Sequence, residues 1–261
     1  MHTSKPAGCL YGVGVGPGDP DLMTLKAIAT LRTADVLAIP RKDARSTSTA
    51  WRIAEQHVGP IAGQTRLFLN FPMTKDPTVL GPAWDAVLEQ LTDPLSHGAR
   101  VAFITEGDPL VYSTFIYLQA RVRSRFPALP IEVIPGVTSL SAVPAVLGLP
   151  LADGQQRVAV IPASYGLDDL PAILATFDTV LLMKVTKVMP QLIELLQNAG
   201  LLEQAVYVSR ATMHGQQIIT DLQTMRQSRC DYFSMVMVAT GKHSGVLAGT
   251  PLRTSDAATG T

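Results

Sequence analysis

Asp19 and Asp108 each stand between a glycine and a proline, in Gly18-Asp19-Pro20 and Gly107-Asp108-Pro109, and each follows an apolar run. Asp before Pro is a helix start, because the carboxylate can accept a first-turn N–H and Pro occupies a position whose N–H would lack a partner. The glycines allow a close main-chain approach by a second chain segment or a ligand, since no Cβ stands in the way. These two turns and Pro135-Gly136 all close runs that read as parallel strands, and open α/β sheets bind ligands at the carboxyl ends of such strands. The chemistry suggested is binding and positioning on exposed main chain. The opening run, Gly12 to Gly18, has four glycines in seven residues. It is not the dinucleotide fingerprint G-x-G-x-x-G: counted from Gly12 the third glycine position holds Pro17, and counted from Gly14 it holds Asp19. The second strand ends in Ile39-Pro40-Arg41, with no acid to hold a ribose, and Gly-Lys-Ser/Thr of a P-loop is absent.

Other chemistries find little support. His57, His97, His214 and His243 lack partners at metal-ligand or triad spacing, and neither Gly-x-Ser-x-Gly nor His-Glu-x-x-His occurs. Cys9 and Cys230 are far apart, so no disulfide framework and no metal site is expected. Lys plus Arg and Asp plus Glu balance at 21 each, which advertises no nucleic acid and no membrane surface as partner. Without a signal-like apolar segment or a bilayer-length apolar run, the expected location is cytoplasmic. Arg41, Lys42 and Arg45 form a basic loop that either meets carboxylates or is simply exposed. Tyr112, Phe115 and Tyr117 read by type as core, and Arg121, Arg123 and Arg125 as a solvated helix end. Lys184 either reaches solvent at a strand end or lines a cleft.

The elements that must position these residues alternate between strand and helix periods throughout, so the fold class is α/β. Strands are expected at 9–15, 35–39, 66–70, 100–105, 131–134, 157–161, 179–185, 205–209 and 233–239. Helices are expected around Leu22, Leu25, Ile28 and Leu31, then at 50–58, 84–91, 115–122, 170–177 and 190–199, with a short one within 142–150. The expected layout is an N-terminal α/β domain, 1–143, a linker, 144–154, a C-terminal α/β domain, 155–250, and a disordered polar tail, 251–261.

Three segments in this order and spacing, Val13-Gly14-Val15-Gly16-Pro17-Gly18-Asp19-Pro20, Glu106-Gly107-Asp108-Pro109-Leu110-Val111-Tyr112 and Ile134-Pro135-Gly136-Val137-Thr138-Ser139, resemble the tetrapyrrole (class III) methyltransferases. The resemblance covers most of the chain. It implies two α/β domains, usually in a homodimer, with S-adenosylmethionine in a cleft between the domains. By position the donor would be held by Glu106, Gly107, Asp108, Val111, Tyr112, Thr138, Ser139, Met183 and Ala211, with Pro17, Gly18 and Asp19 on the substrate side. The segment between the first two motifs and the run 71–76 are most similar to members that methylate C-20 of precorrin-2, or of cobalt-factor II, in cobalamin biosynthesis. Carbon methylation must be followed by proton loss, and Asp19 and Tyr112 are the candidate bases, unless Asp19 is only a cap and water or the substrate takes the proton. Another precorrin or uroporphyrinogen III as substrate stays open. So does a non-catalytic tetrapyrrole- or nucleotide-binding module, against which the intact Gly-Asp-Pro turns argue.

Overall fold

The computed structural model describes residues 8–72, 74 and 76–240. They form two compact units that divide between Thr138 and Ser139. The first contains strands β1 (Cys9–Gly14), β2 (Val36–Arg41), β3 (Thr65–Asn70), β4 (Arg100–Thr105) and β5 (Ile131–Ile134), and helices α1 (Leu25–Thr33), α2 (Thr49–Val58), α3 (Pro77–Ser96) and α4 (Phe115–Arg125). The strands form one sheet in the order β3-β2-β4-β1-β5, every pair parallel. Alternation along the strands sorts the core. Val13, Leu37, Ile39, Ala102 and Ile104 pack with Ala27 and Leu31 of α1 and Ile53 and Ala54 of α2. Leu10, Ala38, Val101 and Phe103 pack on the other face with Trp84 and Leu91 of α3 and Phe115 and Leu118 of α4. At the centre β1 and β4 are neighbours whose connections leave in opposite directions, through α1 toward β2 and through α4 toward β5. Such a switch point parts the loops at the carboxyl ends of the strands.

The second unit contains α5 (Ser139–Leu147), β6 (Val158–Pro162), α6 (Leu170–Thr176), β7 (Thr179–Met183), α7 (Met189–Asn198), β8 (Ala205–Ser209), β9 (Gln217–Ile219) and β10 (Ser234–Ala239). Its sheet order is β6-β7-β10-β8-β9. The pair β6/β7 is parallel, while β10 runs antiparallel to both β7 and β8. Thus β6, β7 and β8 share one direction and end on one edge. Leu182, Tyr207 and Val236 face α6 and α7. Leu181, Val206, Val208, Met235 and Met237 face α5.

Several expectations are corrected. The division comes earlier than 143/144, because Val143 and Leu147 of α5 are buried against the second sheet, and the helix fills part of the stretch expected to be a linker. Leu22 is not in α1: Pro20–Leu22 is a separate 3-10 turn, α1 begins behind its own N-cap Thr24, and Leu25 is 85% exposed. Helix α3 runs far beyond 84–91, from N-cap Asp76 through Pro82 and Pro94. Burial of Trp84, Val87, Leu91 and Leu95 outweighs the two proline penalties that made the sequence read as a shorter helix. Strand β7 stops at Met183, where Lys184 turns left-handed, and β9 was not foreseen. The tail 251–261 and the end of the expected C-terminal domain lie outside the described residues. Cys9 and Cys230 are free thiols. Among the described residues no helix is long and apolar enough to cross a membrane.

Candidate functional site

The three glycine-bearing turns of the first unit meet at the carboxyl ends of β1, β4 and β5. Gly107 N donates to Gly16 O at 2.7 Å and Gly16 N donates to Gly107 O at 3.4 Å. Asp108 joins the third turn, its Oδ2 accepting from Gly136 N at 3.1 Å while Oδ1 accepts from Leu110 N at 2.8 Å. The glycines are needed here for close chain approach. A Cβ at Gly14 would lie 2.5 Å from Gly107 O and 2.7 Å from Gly136 N; one at Gly136 would strike Gly107 O and lie 2.9 Å from Gly14 C. Two residues before Gly14 in β1, Gly12 makes room for the buried ring of Phe115. Gly107 has φ +65, and a Cβ there would stand 4.0 Å from Thr138 Cα, so Thr138 borders the same junction.

Pro17, Gly18 and Asp19 follow directly on this junction. Asp19 Oδ1 accepts from Asp21 N at 2.9 Å, with Pro20 in the first position of the 3-10 turn, so Asp19 acts as a cap of that turn and not of α1. Glu106 engages its carboxyl group with α2: Oε1 accepts from Ala50 N at 3.1 Å in the first turn of that helix. Burial pushes this carboxyl above the ordinary glutamate range, an effect opposed by main-chain hydrogen bonds, including that from Ala50, and by the charge of Arg52. Val111 N donates to Asp108 O at 3.3 Å. Of the three aromatics read by type as core, only Phe115 is buried; Tyr112 is 44% and Tyr117 58% exposed, because the turn between β4 and α4 carries Tyr112 outward at φ 52.

Ser139, Met183 and Ala211 belong to the second unit. Ser139 opens α5, and Met183 and Ala211 pack on the cluster formed by α5 and one face of the sheet. Met183 ends β7 and Ala211 follows β8, the two parallel strands that flank β10. Both adjoin non-glycine residues with left-handed backbone: Lys184 (φ 58) next to Met183, and Arg210 (φ 51) and Thr212 (φ 66) on either side of Ala211. With Tyr112 these are the four positive-φ non-glycine residues among those described; Lys184, Arg210 and Thr212 lie within three residues of the carboxyl end of a strand, and Tyr112 lies in the turn between β4 and α4. Such conformations cost about 1–3 kcal/mol each and cluster at functional sites.

Two features escaped the sequence reading. Gly136 was quoted there as part of a turn, yet not as a site residue, although Pro-Gly at a strand end is a signal for close approach. Thr105 and Ser113 form a buried hydroxyl pair at 2.9 Å, and Ser113 Oγ also accepts from Phe115 N at 3.1 Å, which ties the end of β4 to the start of α4. Nothing in the spacing of a Thr and a Ser eight residues apart announces that contact.

Comparison with known proteins places the chain among relatives. The chain is 36% identical over 239 residues to the precorrin-2 C(20)-methyltransferase of Sinorhizobium sp, covering 88% of this chain and 95% of that one. It is 35% identical over 235 residues to the cobalt-precorrin-2 C(20)-methyltransferase of Salmonella typhimurium, covering 88% and 96%. The cobalamin biosynthesis protein CobIJ of Mycobacterium tuberculosis is 35% identical over 251 residues, 93% of this chain; the chain spans about half of that relative, 48% of its length. A solved structure, the cobalt precorrin-4 methyltransferase CbiF, has the same fold, with TM-score 0.66 at 23% identity over 88% of this chain and 94% of that one. Residues 9–225 match the family described as tetrapyrrole (corrin/porphyrin) methylases. That span holds all three turns of the junction and both sheets except β10, and the chain belongs to this family.

Proposed function

We propose that the protein transfers a methyl group from S-adenosylmethionine to C-20 of precorrin-2 or of its cobalt-containing counterpart. The observation that carries this reading is the closure of the three glycine turns into one junction at the switch point of the first sheet, in a chain whose full-length relatives bear that activity in their names. The donor would meet Glu106, Gly107 and Asp108 through main chain, with Val111 and Tyr112 offering apolar surface, and with Thr138, Ser139, Met183 and Ala211 as further contacts. Ser139 suits a polar ligand, since its hydroxyl makes no hydrogen bond among the described residues. Glu106 fits less directly, because its carboxyl group is engaged at α2. Pro17, Gly18 and Asp19 would border the macrocycle.

The sulfonium supplies an electrophilic methyl group; C-20 supplies the electron pair, the C–S bond breaks as the C–C bond forms, and the C-20 proton then leaves. The protein must hold the two carbons in line and keep water out, and positioning of this kind lowers barriers by about 7–11 kcal/mol. Asp19 or Tyr112 would receive the proton. Asn caps a turn about as well as Asp, so Asp19→Asn keeps the fold while removing a base. Its expected result is turnover lowered at least about a hundredfold with S-adenosylhomocysteine binding unchanged; unchanged turnover rules out Asp19 as base. The same reading has the chain act as a homodimer in the cytoplasm, which sedimentation and cell fractionation would check. The deciding experiment is incubation of the protein with S-adenosylmethionine and precorrin-2, with and without cobalt, followed by mass and position of the added methyl group. No methylated product from either substrate overturns the proposal, and methylation at another carbon points to a different precorrin.

A further inference from the structure

We infer that the end of β2 and the loop after it, residues 41–47, together with Arg52 of α2, seat the peripheral carboxylates of an anionic macrocycle. The inference rests on the methyltransferase reading and extends it by assigning groups that hold the substrate. Residues 41–52 carry four cations, Arg41, Lys42, Arg45 and Arg52, against the single carboxylate of Asp43, in a chain whose total charge is zero. Asp43 does little to neutralise them. Its Oδ1 accepts from Arg45 N and Ser46 N, both at 2.9 Å; bonds from Ser46 and Arg45 lower its pKa foremost and the charge of Lys42 adds to this, so the carboxylate chiefly serves the turn of its own loop.

The cations of this loop differ from others in the molecule. Lys26, Arg100 and Arg210 are each paired with a carboxylate. Arg32, Arg66 and Arg157 are tied to carbonyl oxygens of other segments. Lys42 and Arg45 are exposed, and their side chains make no hydrogen bond or ion pair among the described residues. Arg41 is oriented in advance: Nε donates to Asn70 Oδ1 at 2.8 Å and the guanidinium lies 4.9 Å from the Phe68 ring centroid. Nη1 also donates to Ala44 O at 3.4 Å, which leaves Nη2 to meet a carboxylate oxygen.

Position makes the loop part of the candidate site. Strand β2 runs parallel beside β4, so the loop leaves the sheet at the edge where the Gly107 turn leaves it. Both ends of the loop are fastened: Arg41 to Asn70 at the end of β3, and Ala50 N to Glu106, the residue before Gly107. A macrocycle bordering Asp19 and the Gly107 turn would carry its acetate and propionate groups outward from the ring, and Lys42 and Arg45 offer uncommitted positive charge just past the end of β2 at that edge, with Arg52 held at 3.3 Å on Thr49 Oγ1 behind them.

The test uses uroporphyrin, a porphyrin with a carboxylate on every peripheral chain, as probe. Its Kd is measured by fluorescence at low and high salt for the wild type, for K42E/R45E, and for R123E/R125E, which makes the same charge change in the last turn of α4. S-adenosylhomocysteine binding and precorrin-2 methylation are measured in parallel. The expected result is uroporphyrin affinity lowered at least about tenfold in K42E/R45E, with a flattened salt dependence, unchanged S-adenosylhomocysteine affinity, and no change in R123E/R125E. Equal uroporphyrin affinity in wild type and K42E/R45E, an equal loss in R123E/R125E, or no binding by the wild type overturns the inference. If the wild type methylates precorrin-2 while K42E/R45E binds as the wild type does, only the carboxylate seat is rejected. If K42E/R45E loses affinity but the wild type methylates nothing, the seat stands and the methyl-transfer reading falls.

Discussion

One added methyl group at Gly136 would test how tightly the three turns are closed. Its Cβ would meet the main-chain oxygen of Gly107, which cannot swing aside as a side chain can. Gly136→Ala should therefore lower stability by about 1–3 kcal/mol or more and weaken S-adenosylhomocysteine binding, read from urea midpoints and titration. Gly81→Ala is the counterpart: nothing stands within 4 Å of its Cβ and it lies inside α3, so a gain of about 0.5–1 kcal/mol is expected. Glu106 makes a second prediction. Burial raises its pKa, so the stability associated with its neutral form is complete below the ordinary value of about 4.3 and is lost as pH rises through the raised one. Glu106→Gln does not ionise. Urea unfolding across this window should show the variant gaining on the wild type as pH rises; a pH-independent difference would contradict it. At this scale the glycines were legible as places of close approach, but whether a ligand or the chain itself approaches was not, and the structure answers that the chain does at Gly14 and Gly136.

Among the elements, those with a strong period and clear ends were read nearly residue for residue. Strands β4, β5 and β8 are examples, each a compact apolar run between turns. Helix α3 was not, because Gly81, Pro82 and Pro94 are local signals against a helix, overruled by a buried face that only the folded sheet provides. The left-handed residues were invisible for the opposite reason: Lys, Arg and Thr carry no mark of positive φ. Lys184 isolates the point. Asn visits this conformation readily and a β-branched residue does not, so Lys184→Val should be about 1–2 kcal/mol less stable than Lys184→Asn by thermal unfolding. Both variants lose the same amine, so its loss does not enter the difference between them.

Across the whole molecule, each sheet is covered on both faces by its own helices, giving each unit its own core. The parallel sheet was legible because each of its first four strands is followed by a helix, which forces crossovers. The second sheet was not legible in order, since the insertion of β10 between β7 and β8 is a choice of partners that no local pattern records. Native-state hydrogen exchange should find the slowest amides in the central strands β1 and β4 of one unit and β7 and β10 of the other, and the fastest strand amides in the edges β3 and β9. Protection of β9 equal to that of β10 would contradict this. The junction of Gly14, Gly107 and Gly136 also bears on how the chain is made. It draws on the first, fourth and fifth strands, so no partly assembled sheet contains it, and on a ribosome it cannot close until β5 has emerged. A ligand held there can stabilise only the finished first unit and cannot guide its earlier folding steps, so retention of such a ligand by a growing chain would mark the moment at which that sheet is complete.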